Sequence, residues 1–134
     1  MAAVVTKYGF VATAKRLVGT GAAAFAYMML GTGSQTEDTS VSTLQSEISD
    51  SGLSRVSADT ADAAGSSATA SDTCRFIKTW TATGSKNVKE CGVGNSDTKD
   101  KGDLLCYATF ASAIPMASAD TLKVTWSVQV KAGA

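Results

Sequence analysis

Histidine is absent from this chain. With it go an imidazole general base, any Ser-His-Asp or Cys-His arrangement, and the His ligands common at metal sites. Cysteine is scarce: Cys74, Cys91 and Cys106 form no CxxC pair, and an odd number argues against a closed disulfide framework. One bridge stays open on the sequence, yet isolated cysteines on strand patterns read as small buried apolar residues, compatible with a reducing compartment. A basic surplus is missing as well. Lys plus Arg and Asp plus Glu number 12 each, so the positive excess of a nucleic-acid binder is not there. Long hydrophobic runs are also lacking: the stretch from Leu17 to Leu30 is shorter than the roughly 20 residues needed to span a bilayer, and Gly19-Thr20-Gly21 interrupts it.

What is present suits one domain. The chain has 134 residues, of which 44% are apolar, enough to build a hydrophobic core. Charge is balanced but unevenly spread. Residues 37–72 carry Glu37, Asp38, Glu47, Asp50, Asp59, Asp62 and Asp72 against the single base Arg55, and both flanking segments are net positive. Such asymmetry orients identical subunits, or a subunit and its scaffold, as they meet. Any single charge in it reads more simply as part of a solvated face.

Lys7, Lys15 and Arg16 ahead of "LVGTGAAAFAYMML" have the outline of a targeting segment, but no small-x-small cleavage site follows Leu30. A short amphipathic helix ended by Gly19-Thr20-Gly21 accounts for the pattern better: Tyr8, Val11, Ala12, Leu17 and Val18 recur at helical spacing, with Lys15 and Arg16 on the wet side. "AFAYMML" then reads as a buried strand. The Gly31-Thr32-Gly33 after it leads into "SQTEDTSVS", which has no lysine for a phosphate loop, so the two glycines mark a sharp turn. Val41, Leu44 and Ile48 predict a second short helix, capped by Thr39 or Ser40 and closed by residues 49–52. Leu53 and Val56 open a strand. Residues 57–72 are nearly all Ala, Ser, Thr, Asp and Gly, and bury little: a mobile loop, a thin edge strand, or a segment ordered by a partner.

From Thr73 the period becomes two. Cys74, Phe76, Lys78 and Trp80 alternate with Arg75, Ile77 and Thr79. "KNVKECGV" is a shorter strand ended by Gly92 and Gly94, "SDTKDKGD" a charged hairpin tip, and "LLCYATFASAI" a strand ended by Pro115. Last, Leu122, Val124, Trp126, Val128 and Val130 face one way, with Lys123, Thr125, Ser127 and Gln129 opposite. The fold expected is mainly β: an antiparallel β-sandwich or jelly-roll-like module with one or two short N-terminal helices. It divides into a helix-strand-helix front (1–56), a low-complexity stretch (57–72) and an antiparallel part (73–134). Core candidates are Tyr27, Leu30, Phe76, Trp80, Phe110, Leu122, Val124, Trp126 and Val128.

For chemistry, the charges nearest apolar positions are Glu47, Arg55 and Glu90. A carboxylate pair for sugar hydrolysis would need a cleft and separated environments, and no sequence signal marks either. The stronger reading is a carboxylate paired with Arg55, or one accepting backbone N–H groups near a turn. Trp80 and Trp126 read as core before they read as sugar platforms. Asp97, Asp100 and Asp103 lack the distal Glu of a Ca²⁺ loop and read as a solvated tip. The expectation is therefore a protein that is not an enzyme, without cofactor or metal.

The order of motifs is "TKYG" (6–9), "YMMLGTGS" (27–34), "LQSE" (44–47), Arg55, "VKECGVGN" (88–95) and "LLCYATF" (104–110), then the alternating strand. This resembles small virion structural modules of tailed bacteriophages, most of all the N-terminal module of tail-collar fibre proteins and the stand-alone proteins related to it. The positions matched are Gly31, Gly33, Glu47, Arg55, Glu90 and Gly92; the sequence departs at Gly94, where an aromatic is expected, and at Cys91, which replaces an aliphatic residue. The resemblance implies a virion protein made in the host cytoplasm: a capsid decoration or cement subunit, with a tail or tail-fibre component as the alternative. It implies contacts with the major capsid protein or other virion proteins and a homo-oligomer, trimer or dimer, with no nucleic-acid or membrane partner. A secreted or anchored filament subunit, which needs Met1–Leu30 as a targeting segment, is a third reading.

Overall fold

Thr6 begins the first helix by using its side chain twice. Its hydroxyl oxygen accepts from Gly9 N–H at 3.0 Å and donates to Leu104 O, while its own N–H donates to Leu105 O at 3.0 Å. In the computed structural model, which describes residues 2–64 and 72–130, this cap links strand β1 (Ala2–Val5) to helix α1 (Lys7–Leu17). Lys15 and Arg16 sit in the last turn, where they complement the helix dipole. The remaining elements are strands: β2 (Tyr27–Gly31), β3 (Val56–Ser57), β4 (Thr60–Ala64), β5 (Thr73–Thr81), β6 (Lys86–Gly94), β7 (Leu104–Met116) and β8 (Thr121–Gln129).

They form two antiparallel sheets. Sheet A has the order β1-β7-β6-β2-β3 and sheet B the order β4-β5-β8. The chain leaves β5 for the β6–β7 hairpin and returns as β8 beside β5, a Greek-key path split across the sandwich. Between the sheets lie Met28, Leu30, Leu53, Phe76, Trp80, Val88, Cys91, Val93, Cys106, Ala108 and Trp126. The other face of sheet A is covered too. Val41 and Leu44 of the long segment between β2 and β3 pack there on Met29, Leu104 and Tyr107. Burial on both faces explains why Met28, Met29 and Leu30 are all below 2% exposed, where a one-sided strand would alternate.

Several expectations need correction. No second helix forms: residues 40–50 are loop, although Val41, Leu44 and Ile48 are buried as the spacing suggested. Backbone groups there bond across to sheet A instead, for example Ile48 N–H to Leu30 O at 2.9 Å, and Ser and Thr are weaker helix formers than Ala or Leu. In α1 the packed face is Gly9 and Ala12, of which the spacing named only Ala12, whereas Phe10, Val11 and Leu17, with Val18 just past the helix end, stand in solvent. A Cβ on Gly9 would lie 2.7 Å from Leu105 O, so the helix touches β7 with its backbone and the bulkier residues point away. The strand read over "AFAYMML" starts only at Tyr27, and β6 runs through Gly92 to Gly94. Pro115 does not end β7, which continues to Met116. Among the described residues no strand pairs with the β1 side of β7 past Thr109, and an edge is where proline is tolerated.

Among the core candidates, Leu30, Phe76, Trp80 and Trp126 are buried, while Leu122, Val124, Val128 and Phe110 are partly buried against that core. Tyr27 is half-buried, and Val130 lies past the end of β8, 67% exposed. Of the low-complexity stretch, Thr60–Ala64 is the thin edge strand β4; residues 65–71 lie outside the described part. All three cysteines are free, Cys91 and Cys106 buried and Cys74 half-buried.

Candidate functional site

Gly31, on β2, is paired directly with Glu90, on β6. In an antiparallel ladder such partners send their side chains to the same face. Here only one of them has a side chain, and Glu90 uses the space over Gly31 to reach the segment beyond. Its Oε1 accepts from Ser46 N–H at 2.8 Å, and its Oε2 accepts from Gln45 N–H at 3.1 Å and from the Tyr107 hydroxyl at 2.6 Å. Glu90 is wholly buried, and three donors replace its lost water. Burial pushes the Tyr107 hydroxyl above its ordinary range, and the Glu90 carboxylate beside it adds to the shift.

The segment so held lies along β2 beyond the two residues that β3 covers. Gly31 makes an isolated bridge with Glu47, and Thr32 N–H donates to Ser46 O at 2.9 Å. Gly33 completes the fit, because a Cβ there would meet the Gln45 Cβ at 2.6 Å. Glu47 turns to Arg55 in a two-pronged pair, Nη2 to Oε1 at 2.6 Å and Nε to Oε2 at 2.9 Å, with side chains only 1% and 6% exposed. Arg55 also donates through Nη1 to Ser96 O at 3.0 Å and Lys101 O at 3.3 Å, so the β6–β7 hairpin joins the same network.

Gly92 and Gly94 make the trough on this face of sheet A. A Cβ on Gly92 would sit 2.9 Å from Leu104 Cδ1 and 3.1 Å from Leu44 Cδ1; one on Gly94 would sit 3.0 Å from Met29 Cε and 3.9 Å from Arg55 Nη1. Glycine at position 94 therefore has a physical reason: Met29 and the Arg55 guanidinium occupy the room a larger side chain would need.

Sequence reasoning thus named six positions that the structure gathers into one buried clamp: Gly31, Gly33, Glu47, Arg55, Glu90 and Gly92. Its reading of a carboxylate on Arg55, or on backbone amides near a turn, describes Glu47 and Glu90 respectively. It missed Tyr107, whose signal was a tyrosine inside an apolar strand, where a buried hydroxyl needs an acceptor. Chemically the clamp holds chain segments together. Every Glu47 and Glu90 oxygen is engaged by donors, and the cleft beside Arg55 and Asp103 has about 10 Å³, room for about one water. Trp80 and Trp126 lie in the core, Trp80 donating to Ser54 O at 3.1 Å. Asp97 and Asp100 stand exposed at the hairpin tip, and Asp103 donates its N–H to Asn95 Oδ1 at 2.7 Å. No family model matches this chain, and no curated protein is similar to it in sequence.

Proposed function

We propose that this chain is a non-enzymatic structural subunit of a tailed-phage virion, acting as a decoration or cement protein on the capsid. The observation that carries the reading is the clamp. Six positions picked out by motif order, from four separate stretches of sequence, converge on one buried network that fixes a long segment to sheet A. A module of this kind acts by being rigid and by burying surface on neighbours, here the major capsid protein. The solvent-facing Phe10, Val11 and Leu17 of α1, with Val18 just after it, supply apolar contact area of the sort such neighbours cover. Many copies on a regular lattice then add weak contacts into firm attachment.

Electron microscopy of particles assembled with and without the protein tests this. Density at regular shell positions, saturable binding to mature capsids and greater heat resistance are expected. Density confined to the tail moves the protein to the fibre or collar, and its absence from particles ends the virion reading.

A further inference from the structure

Among the described residues, strand β8 is the longest edge that no bulge interrupts. It pairs with β5 over its whole length without a register shift, whereas the edges β1, β3 and β4 have only 4, 2 and 5 residues. Ala82 N–H donates to Asp120 O, and Val130 N–H donates to Asp72 O. Even-numbered residues of β8 therefore face β5, and Thr121, Lys123, Thr125 and Ser127 point their N–H and C=O groups outward. Among the described residues, no other segment takes those backbone groups. Such an edge is a template for another strand.

We propose that two copies of this chain pair antiparallel through β8 about a two-fold axis at Thr125, giving one sheet in the order β4-β5-β8-β8-β5-β4. The hydrogen-bond phase allows this, since Thr125 would meet Thr125 of the second copy as a pair that exchanges both bonds. Charge selects the register. The only charged residue of β8 is Lys123. With the axis at Thr125 it lies opposite Ser127 of the second copy; with the axis moved to Lys123 it would oppose its own copy, which is destabilising. The inward side chains also match, Leu122 beside Val128 and Val124 beside Trp126. A furrow of about 210 Å³ runs between β8 and β1, lined by Val4, Val5, Cys106, Trp126 and Val128, and the apolar side chains of the second copy would cover it. The contact is isologous and closes, so it makes a dimer and not a trimer. It does not depend on the virion reading.

Sedimentation equilibrium of the full chain, as a concentration series, tests the pairing. The protein is expected to dimerise. Thr125→Pro removes an N–H that makes no bond within the chain, so the fold should stand while two intersubunit bonds vanish and Kd rises about tenfold or more. Thr125→Lys places two like charges across the axis on a side chain exposed in the monomer; it should weaken the dimer, and salt should restore part of the loss. That variant decides the matter if the proline disturbs folding. Ser112→Lys, exposed on β7, should leave Kd unchanged. A dimer insensitive to both Thr125 substitutions overturns the proposal. So does a chain still monomeric at roughly 100 µM, which would leave the edge to a strand from a different protein.

Discussion

A methyl group on Gly31 would sit 2.6 Å from Glu90 Cγ and 2.8 Å from its Cδ, with the glutamate pinned by three donors and unable to move aside. Gly31→Ala should therefore lower stability by about 2 kcal/mol in chemical denaturation. Glu90→Ala removes both the clamp and the obstacle, so the double variant should cost clearly less than the sum of the two; strict additivity would mean that the residues do not meet. Arg55→Met strands Glu47 without its partner in a site that is nearly dry, and about 3–5 kcal/mol should be lost. These residues were legible in the sequence as unusual positions, because charges among apolar neighbours and paired glycines stand out. Their partners were not. Two of the Glu90 donors are backbone amides, which every residue carries, so no residue type announces them.

The elements were legible in proportion to how far local pattern, rather than distant contact, decides them. The alternation in β5 and β8 shows because each has one face on the core and one in solvent. The segment around Leu44 has the spacing of a helix but the conformation of a loop, because Glu90, far along the chain, takes its amides. The spacing recorded burial correctly and conformation wrongly. Helix α1 erred the other way: its conformation was legible, but of the face it buries only Ala12 was, since glycine and alanine carry almost no hydrophobic signal. Two tests follow at this scale. Thr6→Ala loses a cap and a buried bond to Leu104 together, and the melt should fall by the equivalent of about 2 kcal/mol. Leu17→Ser, at a position 83% exposed, should stay within about 0.5 kcal/mol of the parent in chemical denaturation.

For the molecule as a whole, ionisation limits stability at both ends of the pH scale. The Thr109 hydroxyl holds Glu37 below the usual carboxylate range, and Lys86, Lys78 and Arg75 do the same for Asp50, Asp59 and Asp62. Depressed carboxylates stabilise the fold above their unfolded pKa and lose that contribution as pH falls through the folded one, so an acid limb is expected below about pH 4. In the core, burial pushes the Cys91 thiol up to about 12, against a small opposing pull from the Trp126 indole N–H, and Cys106 is raised further by burial and by Cys91. That indole N–H has no partner of regular geometry; the Cys91 sulfur is a weak acceptor. Unfolded thiols ionise near about pH 8.5, where the native ones keep their protons, so stability should fall as pH rises beyond that. Melting temperatures from acid to alkaline pH check both limbs, and Cys106→Ala should flatten the alkaline one. The sheet order also sets a timetable. Strand β1 lies on β7, β2 on β6, and Thr6 bonds to Leu104, 98 residues later. As the chain grows from the ribosome, its first helix and the whole segment from Thr32 to Arg55 have no surface to lie on until β6 and β7 are made, so the leading half waits for the trailing third before sheet A can form.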